Sequence, residues 1–219
     1  MTTRRIAVVS AGLSQPSSTR LLADRLTEAA VRRLVDLPVE GEPIEVEVDV
    51  IELRDYAQDI TNNLITGFAS PRLEQAIEKV TTADGLIAVT PIFTTSYSGL
   101  FKSFIDVLDP QSLTDMSVLI AATGGTERHS LALDYAMRPL FSYLHATVVP
   151  TGVYAASSDW GAADVDGAGT SGQPSLAGRI ERAAGELASL VRDSDRSSRV
   201  IDPFALPAGF SPVGGYGAQ

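Results

Sequence analysis

Two hydrophobic periods take turns along this chain. The apolar run Ile6-Ala7-Val8-Val9, closed by Ser10, predicts a strand that runs into a turn. Over residues 20–35, Leu22, Leu26, Ala29, Ala30 and Leu34 recur at helical spacing, with arginines and acids opposite. Pro38, Gly41 and Pro43 then break the chain. Ile44, Val46, Val48 and Val50 alternate with acids, the pattern of a strand with one exposed face, as at a sheet edge. The polar stretch around Thr61-Asn62-Asn63 receives no element. Ser70-Pro71 marks the next helix, with serine as cap and proline in the first turn.

The second half repeats the alternation. Gly85-Leu86-Ile87-Ala88-Val89-Thr90 and Val118-Leu119-Ile120-Ala121-Ala122-Thr123 are short and continuously apolar, as expected of central parallel strands covered on both faces. Leu100, Phe101, Phe104, Ile105 and Leu108 form a helical stripe between them. A helix is expected over residues 130–144, kinked or restarted at Pro139. Val148-Val149 and Gly152-Val153-Tyr154 form a last strand interrupted by Pro150. Residues 156–174, rich in Gly, Ala, Ser and Asp, form a loop before a final helix from about Ser175 to Val191. From residue 193 to 219 the chain is a Pro- and Gly-rich tail that wraps a neighbour or stays loose, so residues 1–192 hold the domain.

Five strands, each followed by a helix, call for a doubly wound α/β protein with a five-stranded parallel sheet and helices on both faces. Right-handed crossovers and an edge strand in second place favour the order 2-1-3-4-5. The strand order then reverses between strands 1 and 3. Ligands bind beyond the carboxyl ends of the strands at such a point, so the loops after strands 1, 3 and 4 converge there.

Composition narrows the chemistry. The net charge is −10, which argues against nucleic-acid binding and against an anionic membrane surface. No cysteine is present, which excludes disulfides, thiolate metal sites and thiol catalysis. His129 and His145 are the only histidines, too few for a histidine-rich metal centre. The amino-terminal residues lack the pattern of a signal peptide, and no apolar run reaches the roughly 18 residues needed to span a bilayer. The expected compartment is the cytoplasm.

The turn after the first strand, Ser10-Ala11-Gly12-Leu13-Ser14-Gln15-Pro16-Ser17-Ser18-Thr19-Arg20, sets hydroxyls and free N–H groups at a helix N-terminus, where the helix dipole favours an anion. It lacks G-x-x-x-x-G-K-[ST], which argues against nucleotide hydrolysis, and G-x-G-x-x-G, so the usual dinucleotide fingerprint is absent. A terminal monophosphate suits it; Ser17, Ser18 and Thr19 also suit a plain N-cap cluster. The loop after strand 3, Thr90-Pro91-Ile92-Phe93-Thr94-Thr95-Ser96-Tyr97-Ser98-Gly99, joins a stiff backbone to aromatics and hydroxyls. The loop after strand 4, Thr123-Gly124-Gly125-Thr126-Glu127-Arg128-His129, has paired glycines that admit a flat ligand close to the backbone. A phosphate loop with two ring-contacting loops describes a flavin mononucleotide (FMN) site.

With these loops in view the chain resembles the NAD(P)H-dependent FMN reductases of flavodoxin-like fold, especially the branch that partners luciferase-like monooxygenases. The resemblance rests on Ser10 to Arg20, on Thr90-Pro91-Ile92-Phe93 through Ser98-Gly99-Leu100-Phe101-Lys102, on Thr123-Gly124-Gly125 through Arg138-Pro139-Leu140, and on Val149-Pro150-Thr151-Gly152-Val153-Tyr154. It implies that Ser10, Ser17, Ser18 and Thr19 hold the FMN phosphate. Pro91, Ile92, Phe93 and Thr94 would follow the isoalloxazine and ribityl chain, and Thr123, Gly124 and Gly125 would close the pyrimidine side. The family's strand-3 loop often reads Pro-Glu-Tyr-Asn; Ile92, Phe93 and Thr94 stand in the last three places here.

The resemblance further implies hydride transfer from NADPH or NADH to FMN. That chemistry belongs to the nucleotides and needs no protein acid, base or nucleophile, so no catalytic residue is assigned. A homodimer or homotetramer is implied as well, with Tyr97, Phe101 and Phe104 either at its interface or in the core. His129 can reach the ring or simply cap a turn, and Arg128 can pair with a 2′-phosphate or stay solvated. Trp160, the only tryptophan, either caps the site or joins a subunit contact. Two other readings keep the fold: a reductase passing electrons from bound FMN to a quinone or azo dye, and a flavodoxin-like electron carrier. A carrier has no obvious use for the segments after residue 155. A receiver domain would need carboxylates clustered after strand 1, and none are there.

Overall fold

The computed structural model describes residues 2–36, 43–160, 174–194 and 196. Its sheet runs β2 (Ile44–Glu52), β1 (Thr2–Ser10), β3 (Gly85–Phe93), β5 (Ser117–Gly124), then a last strand in two pieces. Those pieces, β6 (Thr147–Val148) and β7 (Val153–Ala156), both pair in parallel with β5, at Ser117–Val118 and at Ala121–Gly124. Pro150, which has no N–H to give a ladder, sits in the gap between them. The path is therefore the expected 2-1-3-4-5, but with seven strands rather than five. The seventh is β4 (Ser96–Tyr97), which folds back antiparallel on Ile92–Phe93 of β3.

Alternation along the central strands divides the core into two faces. Ala7, Val9, Leu86, Ala88, Val118 and Ile120 point to one side, where they meet residues of α3 (Pro71–Thr81), α4 (Gly99–Asp106) and α5 (Arg138–Tyr143). Ile6, Val8, Ile87, Val89, Leu119 and Ala121 point to the other, against the apolar stripes of α1 (Ser18–Asp36) and α6 (Leu176–Arg192). The six residues Gly85–Thr90 are all buried, as a doubly covered strand requires. On the edge strand β2 the valines are only partly covered, Val48 and Val50 remaining exposed.

Serines set the helix starts. The hydroxyls of Ser17, Ser70, Ser98 and Ser175 each accept a hydrogen bond at 3.2 Å from the backbone N–H three residues on, of Arg20, Leu73, Phe101 and Gly178 respectively. Over the expected 130–144 helix the chain forms a π turn at Leu133–Met137 before α5 begins. Pro139 lies in the first turn of α5, where its missing N–H is harmless. The polar stretch after β2 is helical, α2 (Ala57–Thr66), ended by Gly67 at φ 78°. Phe101 and Phe104 are fully buried, with Phe101 against both Tyr97 and Phe141, so they belong to the core and not to a subunit interface.

Most of the expected loop and tail, residues 161–173, 195 and 197–219, lie outside the described residues. Arg196 does not. Its guanidinium donates to the carbonyls of Ala83 at 3.0 Å and Thr114 at 3.2 Å, and also to those of Thr81 and Ser112. Burial lowers its pKa. An R196A variant leaves those carbonyls without this donor and is expected to lose about 2–3 kcal/mol, charge-assisted hydrogen bonds contributing roughly 1.5–3 kcal/mol. The midpoint of urea unfolding measures this; an unchanged midpoint would show that the contact adds nothing. Among the described residues no helix is long and apolar enough to cross a membrane, and no His, Cys, Asp or Glu cluster could hold a metal ion.

Candidate active site

A cleft of about 450 Å³ opens beyond the carboxyl ends of β1, β3 and β5. That volume is within the range of small-molecule sites, roughly 300–1,000 Å³. The sheet order reverses at this point, so the loops leaving β1 and β3 separate to opposite faces and leave a crevice. Its lining brings together Ser17, Ser18, Thr19, Pro91, Ile92, Phe93, Thr123, Gly124 and Gly125. Ser10 and Thr94, the other two expected residues, do not line it. Leu13, Ser14, Ser157 and Trp160 complete the lining.

At one end is the β1–α1 loop. Ser17 caps α1, so for this residue the plain N-cap reading holds, yet it also faces the cleft. Ser18 opens the helix and is exposed. The first N–H groups of a helix have no partner within it, and the residues at the start of α1, Ser17, Ser18 and Thr19, line the cleft. Gly12 permits the tight return of the loop, since a Cβ there would fall 2.0 Å from Ser17 Oγ. Ser10 lies beneath the loop, 1% exposed, and its hydroxyl has no hydrogen-bond partner among the described residues.

The two ends are tied together by Thr19 and Thr123, whose buried hydroxyls meet at 2.8 Å. This bond fixes the start of α1 against the end of β5. Beyond it the glycine pair divides its work. A Cβ on Gly124 would lie 2.0 Å from Tyr154 Oη, so this position is small because β7 packs under it. A Cβ on Gly125 would meet nothing within 4 Å. The open space expected for a ligand is therefore at Gly125. Burial raises the pKa of Tyr154, which stays protonated and donates to Thr126 O at 2.7 Å.

The opposite wall is the β3–β4 hairpin. Its two-residue turn is Thr94-Thr95, with φ of 49° and 71°. Two β-branched residues thus occupy the left-handed region that Asn-Gly fills most easily. Thr94 sits at the exposed hairpin tip, which is why it misses the cleft. The double variant T94N/T95G is expected to stabilise the fold by about 1–2 kcal/mol. Its thermal midpoint should rise; a fall would mean that the threonines are held by contacts worth more than the strain.

Trp160 and Ser157 reach the cleft from the turn after β7. Asp159 holds this turn by accepting from Ala156 N and from Arg179, each at 2.7 Å. Arg25 of α1 stacks over the Trp160 ring, 5.2 Å from its centroid. Glu127 and Ser158 meet at 3.3 Å across the lip. His129 and Arg128 do not line the cleft.

Among the described residues none of the lining side chains is charged. Arg20, next to the lining Thr19, is engaged by Asp24 at 2.7 Å and Glu52 at 2.5 Å. Its bond to Asp24 is the main cause of its raised pKa. The cleft offers an anion neutral hydroxyls and a helix N-terminus. A flat ring is offered proline and glycine backbone, an aromatic wall and the open space at Gly125. The donor set fits a phosphorylated flavin.

The fold is that of a flavodoxin-like protein. A flavodoxin, WrbA-like protein from Agrobacterium tumefaciens shares the fold at a TM-score of 0.52 and 14% identity, over 89% of this chain and 99% of that one. The family described as NADPH-dependent FMN reductase matches residues 4–161, and the chain belongs to it. An FMN reductase (NADPH) of Pseudomonas aeruginosa is 38% identical over 71% of this chain and 78% of its own length. The NADH-dependent FMN reductase SfnE of Pseudomonas putida is 37% identical over 82% and 88% respectively. An oxidoreductase from Corynebacterium diphtheriae superposes at a TM-score of 0.77 with 46% identity, covering 87% of this chain and 98% of that one.

Proposed function

We propose that the chain reduces FMN with a reduced nicotinamide nucleotide and that the cleft described above is where it does so. The observation that carries this reading is the cleft's division into an anion-binding end of hydroxyls and helix N–H groups and a flat end at Pro91 and Gly125, tied by the Thr19–Thr123 bond. Bound FMN supplies the chemistry, accepting a hydride from the nicotinamide. The protein's part is to hold and orient. Ser18 and Thr19 take the phosphate, Pro91, Ile92 and Phe93 flank the ring and ribityl chain, and Thr123 to Gly125 present backbone to the pyrimidine side. Backbone N–H groups at that edge favour the negative charge that develops there on reduction.

Reduced flavin then leaves for a partner monooxygenase. The described lining residues carry no charged side chain, which supports release, because a phosphate held by neutral donors is held less tightly than one paired with arginine. Relatives named for NADPH and for NADH both support a nicotinamide donor. A cytoplasmic enzyme working as a homo-oligomer is part of the same reading. The exposed Ile65, Phe68, Tyr135 and Tyr143 offer apolar surface for a second copy in place of the buried Phe101 and Phe104.

The test is nicotinamide oxidation followed by loss of its near-ultraviolet absorbance while FMN is titrated. Rates that rise and saturate with added FMN are expected. A yellow protein indifferent to added FMN but responsive to quinones would replace flavin release with a retained cofactor. No oxidation with either nucleotide would reject the function.

A further inference from the structure

We infer that Arg54, which does not line the cleft, is the residue that positions the phosphate loop and so sets the preference for a phosphorylated flavin; this rests on the flavin reading above. Arg54 lies in the short turn Leu53–Tyr56 that follows β2. Its Nη1 donates to Ser14 O at 3.1 Å, the carbonyl of a lining residue. With the Gln15 amide oriented to satisfy both groups, its oxygen accepts from Nη1 and Nη2 at 3.0 and 2.6 Å. The fork therefore grips two successive residues of the loop from behind.

The fork is itself fixed. Glu52, the last residue of β2, forms an ion pair with Arg54 Nη2 through Oε2 at 2.8 Å and accepts from Arg20 Nη1 through Oε1 at 2.5 Å. Arg20 belongs to the first turn of α1. One carboxylate thus references both the middle of the loop and the start of the helix to the same strand end. The hydroxyls of Ser17, Ser18 and Thr19 lie between these two anchors. A planar guanidinium suits the role because it binds a carboxylate, a carbonyl and an amide oxygen in fixed directions, which an ammonium cannot do.

A loop held this way predicts a loss specific to the phosphate. In R54A the loop loses its rear anchor, and FMN affinity is expected to fall about tenfold, the effect of misplacing one or two hydrogen-bond donors. Riboflavin, which has the same ring and no phosphate, is expected to change by less than about twofold, because the ring-facing loops are untouched.

The experiment is equilibrium binding of FMN and of riboflavin to wild type, R54A and R54K. Preserved riboflavin affinity also shows that a variant is folded. The inference stands if R54A and R54K both lose affinity for FMN alone. It is overturned if R54A binds both ligands as wild type does, or loses both equally. Recovery of FMN binding in R54K would also overturn it, since charge without the fork would then suffice. A wild type that binds neither ligand would instead remove the flavin reading on which the inference rests.

Discussion

An S18D variant is expected to fold as well as the wild type and to bind FMN at least about 100-fold more weakly. Ser18 is the first residue of α1, it is exposed, and its side chain faces the cleft. The first turn of α1 contains no acid, so an aspartate there adds a favourable interaction with the helix dipole, typically about 0.3–1 kcal/mol. The same charge faces the site assigned to the phosphate. Like unit charges about 5 Å apart at an effective dielectric near 20 repel by roughly 3 kcal/mol, which is a factor above 100 in affinity. Stability and binding thus move in opposite directions, which loss of fold cannot imitate. Riboflavin binding should persist in the variant. Unchanged FMN affinity would move the phosphate away from the α1 N-terminus.

The largest stability effect is expected at Gly124. Its Cβ would stand 2.0 Å from Tyr154 Oη and 3.0 Å from Cζ. Tyr154 is 4% exposed and donates to Thr126 O, so its ring has no easy retreat. G124A should cost about 2–4 kcal/mol, the range for overpacking a buried contact. Y154F alone should cost about 1 kcal/mol for the lost hydrogen bond. Combined, the two changes should cost less than their sum by about 1 kcal/mol, because removing the hydroxyl removes the closest contact, at 2.0 Å, and leaves the one to Cζ at 3.0 Å. Strict additivity in denaturant unfolding would contradict the packing argument. G125A should leave stability nearly unchanged, since its added methyl enters open space.

The contrast between these glycines marks where sequence reasoning stopped. The pair Gly124-Gly125 pointed to a loop that lines the cleft, but only the packing of β7 reveals that the first glycine serves the fold. β1, β3 and β5 were legible because burial on both faces demands unbroken apolar runs, and the helix starts were legible because serine caps them. α2 was not, because it buries only Ile60 and so leaves no stripe. The β3–β4 hairpin was hidden by its turn, since Thr94-Thr95 carries none of the residues that usually signal positive φ.

Trp160 and Ser157 were missed as firm site residues for a topological reason. The last strand was read at Gly152-Val153-Tyr154, but residues from 156 on were read as a loop, whereas the strand's return to the sheet at Val153–Ala156 delivers residues 157–160 to the cleft. Arg54 left no local signal at all. Its partners stand on β2 and on the β1–α1 loop, and only the parallel pairing of β1 with β2 brings them together.

The measurement that bears most directly on the account is a titration of the wild type with FMN, followed by tryptophan fluorescence. Trp160 is the sole tryptophan and lines the cleft, so the signal reports on this site alone. FMN bound there should quench the emission saturably to a one-to-one end point, and in S18D the same curve should shift to far higher concentration. FMN binding without quenching, or quenching that S18D leaves unmoved, would place the flavin elsewhere and contradict the assignment of this cleft.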